Sequence, residues 1–127
     1  MKSTKGVEDY LEAIYVLSME EHHTHIKAIA QFLGVKLPSV TEAVCKLVSL
    51  GYAVHDPYGS VSLTEKGKKI GRATWDKHQL LYKFFKDVLG ISNEVAVRDA
   101  CLVEHSISNE TKIKIEKYME HSSGRAK

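Results

Sequence analysis

Apolar residues return along this chain mostly every three or four positions, the repeat of a helix that buries one face. Val7, Leu11, Ile14, Tyr15 and Leu17 mark an amphipathic helix over about residues 6–20, and the polar run after it, to Thr24, reads as a loop. Ile26 to Leu33 makes a short second helix that Gly34 can end in a left-handed conformation. After a turn at 35–37, Pro38 suits the first position of a third helix, from Ser39 to about Leu50. That helix turns Val40, Val44, Leu47 and Val48 inward, and Gly51 closes it. The period then changes. Tyr52 to His55 and Ser60 to Leu63 are β-prone runs, and Asp56, Pro57 and Gly59 between them hold favoured positions of a type I turn.

Helical spacing resumes at Thr64, a candidate cap, and runs through Ile70, Trp75, Leu81 and Phe85 to Leu89, with Gly90 as the stop. Gly67 and Gly71 lie four apart inside it, which suggests that another backbone passes close by. Ser92 or Asn93 caps a helix over about 94–106, and Ser108 caps a last one through Tyr118. Residues 122–127 are expected to fray. The fold class is therefore mainly α.

Helix, turn, helix and hairpin in that order make a winged helix-turn-helix. Its second helix fits a DNA major groove, and its hairpin reaches the neighbouring backbone. Lys36, Pro38, Ser39, Thr41, Glu42 and Lys46 are the candidate contacts at and along the reader helix, with Tyr58 and Ser60 on the wing. Ser39 and Thr41 sit near the helix N-terminus, where unpaired amides favour phosphate. A polar helix face can also be merely solvated; the order of elements around it argues for DNA. Charge adds to this. The formal net charge is only +2. From residue 24 to 72, however, Lys27, Lys36, Lys46, Lys66, Lys68, Lys69 and Arg72 face only Glu42, Asp56 and Glu65, whereas the first helix is acidic.

Cys101, Glu104 and His105 stand at i, i+3 and i+4, so one helix face offers thiol, carboxylate and imidazole to a single metal ion. Asp9 and Glu12 form a carboxylate pair one turn apart, and His78 lies between the two groups. Each has a plainer reading. Asp9 and Glu12 favour a helix N-terminus without any metal. Cys101 can be a small buried hydrophobe, and His78 a histidine bonded to a carbonyl. Cys45, on the reader helix, reads as a buried thiol, and the His22, His23, His25 tract as solvated loop.

Several ordered motifs now carry a resemblance. Val7 to Tyr15 (Val-Glu-Asp-Tyr-Leu-Glu-Ala-Ile-Tyr), Leu37 to Thr41 (Leu-Pro-Ser-Val-Thr), Leu63 to Gly67, the Lys77-His78 pair and Asp99 to His105 are similar to the diphtheria toxin repressor/manganese transport repressor family. The resemblance covers roughly residues 4–121. It implies a DNA-binding domain over 1–72 and a helical metal-binding and dimerisation domain over 73–121, linked by the long helix of about 64–89. It further implies a short form lacking the SH3-like domain of longer members. By position, Asp9, Glu12 and His78 match ligands of the manganese branch, and Glu104 and His105 ligands of both branches. Cys101 stands where iron-type members carry cysteine and manganese-type members glutamate. Asp9 stands where the iron type has methionine, so the chain is a hybrid. Tyr82 and Val97 replace a Glu and a His of the iron type's ancillary site, which argues against that form of second site.

Three carboxylates, two imidazoles and a thiol are too many for one tetrahedral zinc and suit octahedral Mn²⁺ or Fe²⁺. They could surround one ion with water or hold two bridged by a carboxylate. The thiolate favours Fe²⁺ and Asp9 favours Mn²⁺; the balance tips to Fe²⁺. Co²⁺, Ni²⁺ and Zn²⁺ are expected to substitute in vitro. The implied function is a metal-activated repressor of metal uptake genes, a homodimer on a palindromic operator in double-stranded DNA. The alternative is a metal-independent winged-helix regulator answering to a small ligand or to thiol oxidation at Cys101. A metalloenzyme finds no support: no nucleophile elbow, glycine-rich substrate loop or His-Glu-x-x-His pattern occurs. With two cysteines, no signal peptide and no apolar run of bilayer length, a reducing cytoplasm is expected and no membrane partner.

Overall fold

The computed structural model describes residues 5–125. Its elements run α1 (Lys5–Leu17), β1 (Thr24–His25), α2 (Ile26–Leu33), α3 (Leu37–Ser49), β2 (Ala53–His55), β3 (Ser60–Leu63), α4 (Glu65–Lys83), α5 (Asn93–Val103) and α6 (Asn109–Arg125). A π-helical turn, Phe84–Val88, follows α4. The fold is mainly α, as expected. The chain packs as two compact units, Met1–Trp75 and Asp76–Lys127, divided within α4.

One core joins the first unit. Val7, Leu11 and Ile14 of α1 meet Ile29 and Ala30 of α2, Val40, Val44 and Leu47 of α3, and Ala53, Val61 and Leu63 of the sheet. Val40 and Val44 are indifferent helix formers, at a cost of roughly 0.5 kcal/mol each. Burying each side chain yields about 1.5–3 kcal/mol, so packing decides. Gly34 closes α2 at φ 69°, the left-handed conformation expected there, and the Val35 amide donates to Ala30 O (3.1 Å). Gly67 and Gly71 are where another backbone passes. A Cβ on Gly67 would lie 2.0 Å from Tyr52 O, and one on Gly71 2.6 Å from Leu11 O. Thr64 caps α4, its Oγ1 accepting from the Gly67 amide (3.1 Å).

The wing is more than the expected hairpin. The sheet order is β1-β3-β2, all antiparallel, with Thr24 opposite Val61 and Ala53 opposite Leu63. A two-residue strand leaves no period in the sequence, which predicts only a loop up to Thr24. The turn between β2 and β3 forms as expected: the Gly59 amide donates to Asp56 O (2.9 Å) and the Tyr58 amide to Asp56 Oδ1 (2.8 Å).

Other expectations are corrected. α1 ends at Leu17, and α3 starts at Leu37, which makes Pro38 its second residue. Cys45 is exposed, contrary to the buried-thiol reading, and Val48 is 41% exposed. Each follows a core residue, Val44 or Leu47, and one step along a helix turns a side chain about 100° from its predecessor. The long helix gives way to the π-helical turn before Leu89. α6 runs past Tyr118 to Arg125 through residues assigned to a frayed tail; 126 and 127 lie outside the described residues.

In the second unit Leu81, Ala96 and Ala100 are buried, together with the polar His78 and Glu104. Ala96, Ala100 and Glu104 are four apart, so one inward line along α5 ends on a carboxylate at the helix C-cap. Ser108 caps α6 by accepting from the Thr111 amide (3.2 Å), and the Phe84 and Tyr118 rings meet edge to face at 6.3 Å. Among the described residues no helix is long and apolar enough to cross a membrane.

Candidate metal centre and nucleic-acid interface

α4 carries His78, and α5 with its C-cap presents Cys101 and Glu104 one turn apart. Their donor atoms all lie within 4.8 Å of one another. His78 Nδ1 is 3.1 Å from Glu104 Oε1 and 3.9 Å from Cys101 Sγ. Glu104 is fully buried and His78 is 9% exposed, whereas Cys101 is exposed and opens the cluster on the thiol side.

The second carboxylate oxygen, Glu104 Oε2, is buried and has no hydrogen-bond partner among the described residues. Leaving such an atom unsatisfied costs on the order of 1–3 kcal/mol, more when it carries charge. An orphaned oxygen beside an imidazole and a thiol is what a transition-metal site presents, and the donor set fits one. The Cys101 contact first, and then the Glu104 bond, push His78 from 6.5 up to about 10, while burial pulls it down. A protonated His78 is thus the cationic partner of Glu104 within this unit.

Three of the six expected ligands therefore meet inside one unit. Of the plainer readings, burial of Cys101 is overturned, and His78 bonds the Glu104 carboxylate. Asp9 and Glu12 stand one turn apart on α1 in the first unit, Asp9 half-buried and Glu12 8% exposed. His105 follows Glu104 and is half-buried.

On the reader helix, Lys36, Pro38, Ser39, Thr41, Glu42 and Lys46 are all exposed; on the wing Tyr58 is 94% exposed and Ser60 half-buried. Fewer amides are available at the start of α3 than expected. Pro38 has none, and the Ser39 and Val40 amides donate to Lys36 O (3.0 and 3.3 Å). Thr41 donates its hydroxyl to Leu37 O (3.2 Å), which leaves it an acceptor toward outside groups. Leu37, expected in the turn, is the first residue of α3 and is 50% exposed beside these residues. Its spacing to Val40 and Val44 suggests a helical position but not its exposure.

Comparison with known proteins agrees with this division of labour. Residues 2–61 match the N-terminal DNA binding domain of iron dependent repressors, and residues 64–124 their metal binding and dimerisation domain. An uncharacterised HTH-type transcriptional regulator of Methanocaldococcus jannaschii is 36% identical over 119 residues, spanning 92% of this chain and 94% of its own. The HTH-type transcriptional regulator MntR of Geobacillus kaustophilus is 39% identical over 105 residues, covering 83% of this chain and 74% of its own. The solved structure of the manganese regulator SloR superposes with a TM-score of 0.79 at 29% identity, over 94% of this chain and 55% of that one. The chain thus spans about half the length of the solved structure. The two sequence relatives are HTH-type transcriptional regulators. With both of its regions matched in order, the chain belongs to the DtxR/MntR family of metal-dependent transcriptional regulators.

Proposed function

We propose that this chain is a divalent-metal-activated repressor that binds a palindromic DNA operator as a homodimer and controls metal uptake genes in the cytoplasm. The observation that carries the reading is buried Glu104, with one oxygen on His78, the other unpartnered, and Cys101 beside both. Asp9, Glu12 and His105 complete the ligand set. A divalent cation, when bound, supplies the positive charge that lets carboxylates from distant parts of the chain share one centre. His78, Cys101, Glu104 and His105 then hold the dimer-forming region, and Asp9 and Glu12 hold the reader, in one arrangement. That arrangement spaces two reader helices for successive major grooves. A tenfold gain in operator affinity needs ~1.4 kcal/mol of differential binding to the competent state.

The soft thiolate that Cys101 would offer supports a slight preference for Fe²⁺ over Mn²⁺. SloR, a manganese regulator, keeps Mn²⁺ in contention. Duplexes selected from a random pool under anaerobic Fe²⁺ or Mn²⁺ supply the operator, and fluorescence anisotropy with metal and then chelator tests the switch. Glu104→Ala is expected to remove the metal response while circular dichroism stays unchanged. A response that survives in this variant rejects the assignment. Exposure of Cys101 also favours a second reading, a regulator switched by thiol oxidation. Operator binding that ignores chelator but falls with peroxide would support it.

A further inference from the structure

We propose that the end of α1 and the start of α4 hold a site for a small phosphate monoester, whose phosphate group is bound by His22 and Lys68. The site goes beyond the metal response and uses neither the metal centre nor the reader helix.

A cleft of about 220 Å³ lies inside the first unit, lined by Tyr15, Ser18, Met19, His22 and Lys68. Gly71 brings α4 against α1 beside it: a Cβ there would lie 2.6 Å from Leu11 O and 3.0 Å from Tyr15 Cβ. His22 is the unusual member. Its amide donates to Ser18 O (2.8 Å), closing the last turn after α1, and its φ is 66°. At the end of α2 the same left-handed conformation falls to Gly34. Among the described residues His22 is the one non-glycine with positive φ. Glycine adopts that conformation without a steric penalty, so an imidazole here gives up stability unless the ring is used.

The lining selects the ligand. The Lys68 ammonium, the His22 ring and the Tyr15 hydroxyl offer donors, while the Ser18 hydroxyl is turned to Ile14 O. Among the described residues no carboxylate lines the cleft. Glu65 pairs with Lys68 at 3.8 Å but is 95% exposed, a surface pair that a phosphate can displace. Two basic side chains match a terminal phosphate, which carries up to two charges, better than a singly charged DNA diester. The Tyr15 ring and the Met19 side chain offer apolar wall to the organic part of the ester.

NMR of the isotope-labelled full chain, titrated with inorganic phosphate and with phenyl phosphate, provides the test. The His22 ring resonances are expected to shift and saturate with both, phenyl phosphate binding about tenfold more tightly. Lys68→Gln and His22→Gly must each abolish saturation, and His22→Gly must keep or raise the urea midpoint, since glycine suits the left-handed turn. Binding retained in either variant overturns the site. A lowered midpoint in His22→Gly makes the ring a packing group and overturns it too, as do shifts that chloride reproduces at equal ionic strength. A response to duplex DNA with none to either free phosphate overturns the monoester site and gives the cleft to the nucleic-acid interface.

Discussion

At His78 a single nitrogen faces both the Cys101 thiol and the Glu104 carboxylate, and the pH behaviour of the metal-free protein follows from it. Its value is raised from 6.5 to about 10 by those neighbours. A raised value means that the folded state holds the proton more tightly than the unfolded chain. The resulting stabilisation is complete below about pH 6.5, shrinks as pH rises, and is gone above about pH 10. In chelator-treated protein, the stability difference between the parent and His78→Gln, measured by urea denaturation, is expected to follow that course. A difference that grows toward pH 10 contradicts it. Much of the trio was legible in the sequence, because i and i+3 positions share a helix face and Cys101 and Glu104 occupy them. Depth was not legible. Spacing gives the direction of a side chain, not what covers it, and so Glu104 came out buried and Cys101 exposed with no sequence signal to separate them.

Among the elements, α4 depends most on a single residue type. Gly67 lets its first turns lie directly against the Tyr52 carbonyl, where a Cβ would meet oxygen at 2.0 Å. Gly67→Ala is expected to cost about 1–3 kcal/mol or more, because the obstacle is backbone and cannot swing aside. Urea midpoints of the two proteins report this, and an unchanged midpoint would mean that α4 and the Tyr52 backbone just before β2 are not so closely apposed in solution. The pair of glycines announced this packing in the sequence, since glycine inside a helix sacrifices stability unless something needs the space. The strand β1 announced nothing, being two residues long and held by pairing with β3. Cys45 misled because a thiol beside core Val44 reads as buried, yet one step along the helix turns it about 100° away from that residue.

Across the whole molecule, the modest net charge of +2 hides an uneven distribution, with acids scarce and bases in excess from residue 24 to 72, around the reader. Lys36 and Lys46 are exposed there. If each neutralises one phosphate, Lys46→Ala is expected to lower the slope of log affinity against log salt by about 1, and to weaken binding alike on all sequences. Anisotropy at several salt concentrations on selected and scrambled duplexes measures both. A loss confined to the selected duplex would instead assign Lys46 to base recognition. The order of elements and the ordered motifs made the family legible from the chain alone. The identity of the ion was not, because donors of hard and soft character occur together.

The inward line Ala96, Ala100, Glu104 carries one more consequence. A hydrocarbon at its last position alone would strand the cationic imidazole of His78, whereas exchanging acid and imidazole together for apolar groups would knit that helix end more firmly. Breeding for heat tolerance alone should therefore delete the two as a pair. On the proposed metal-activated reading, the sturdier molecule would be deaf to its effector.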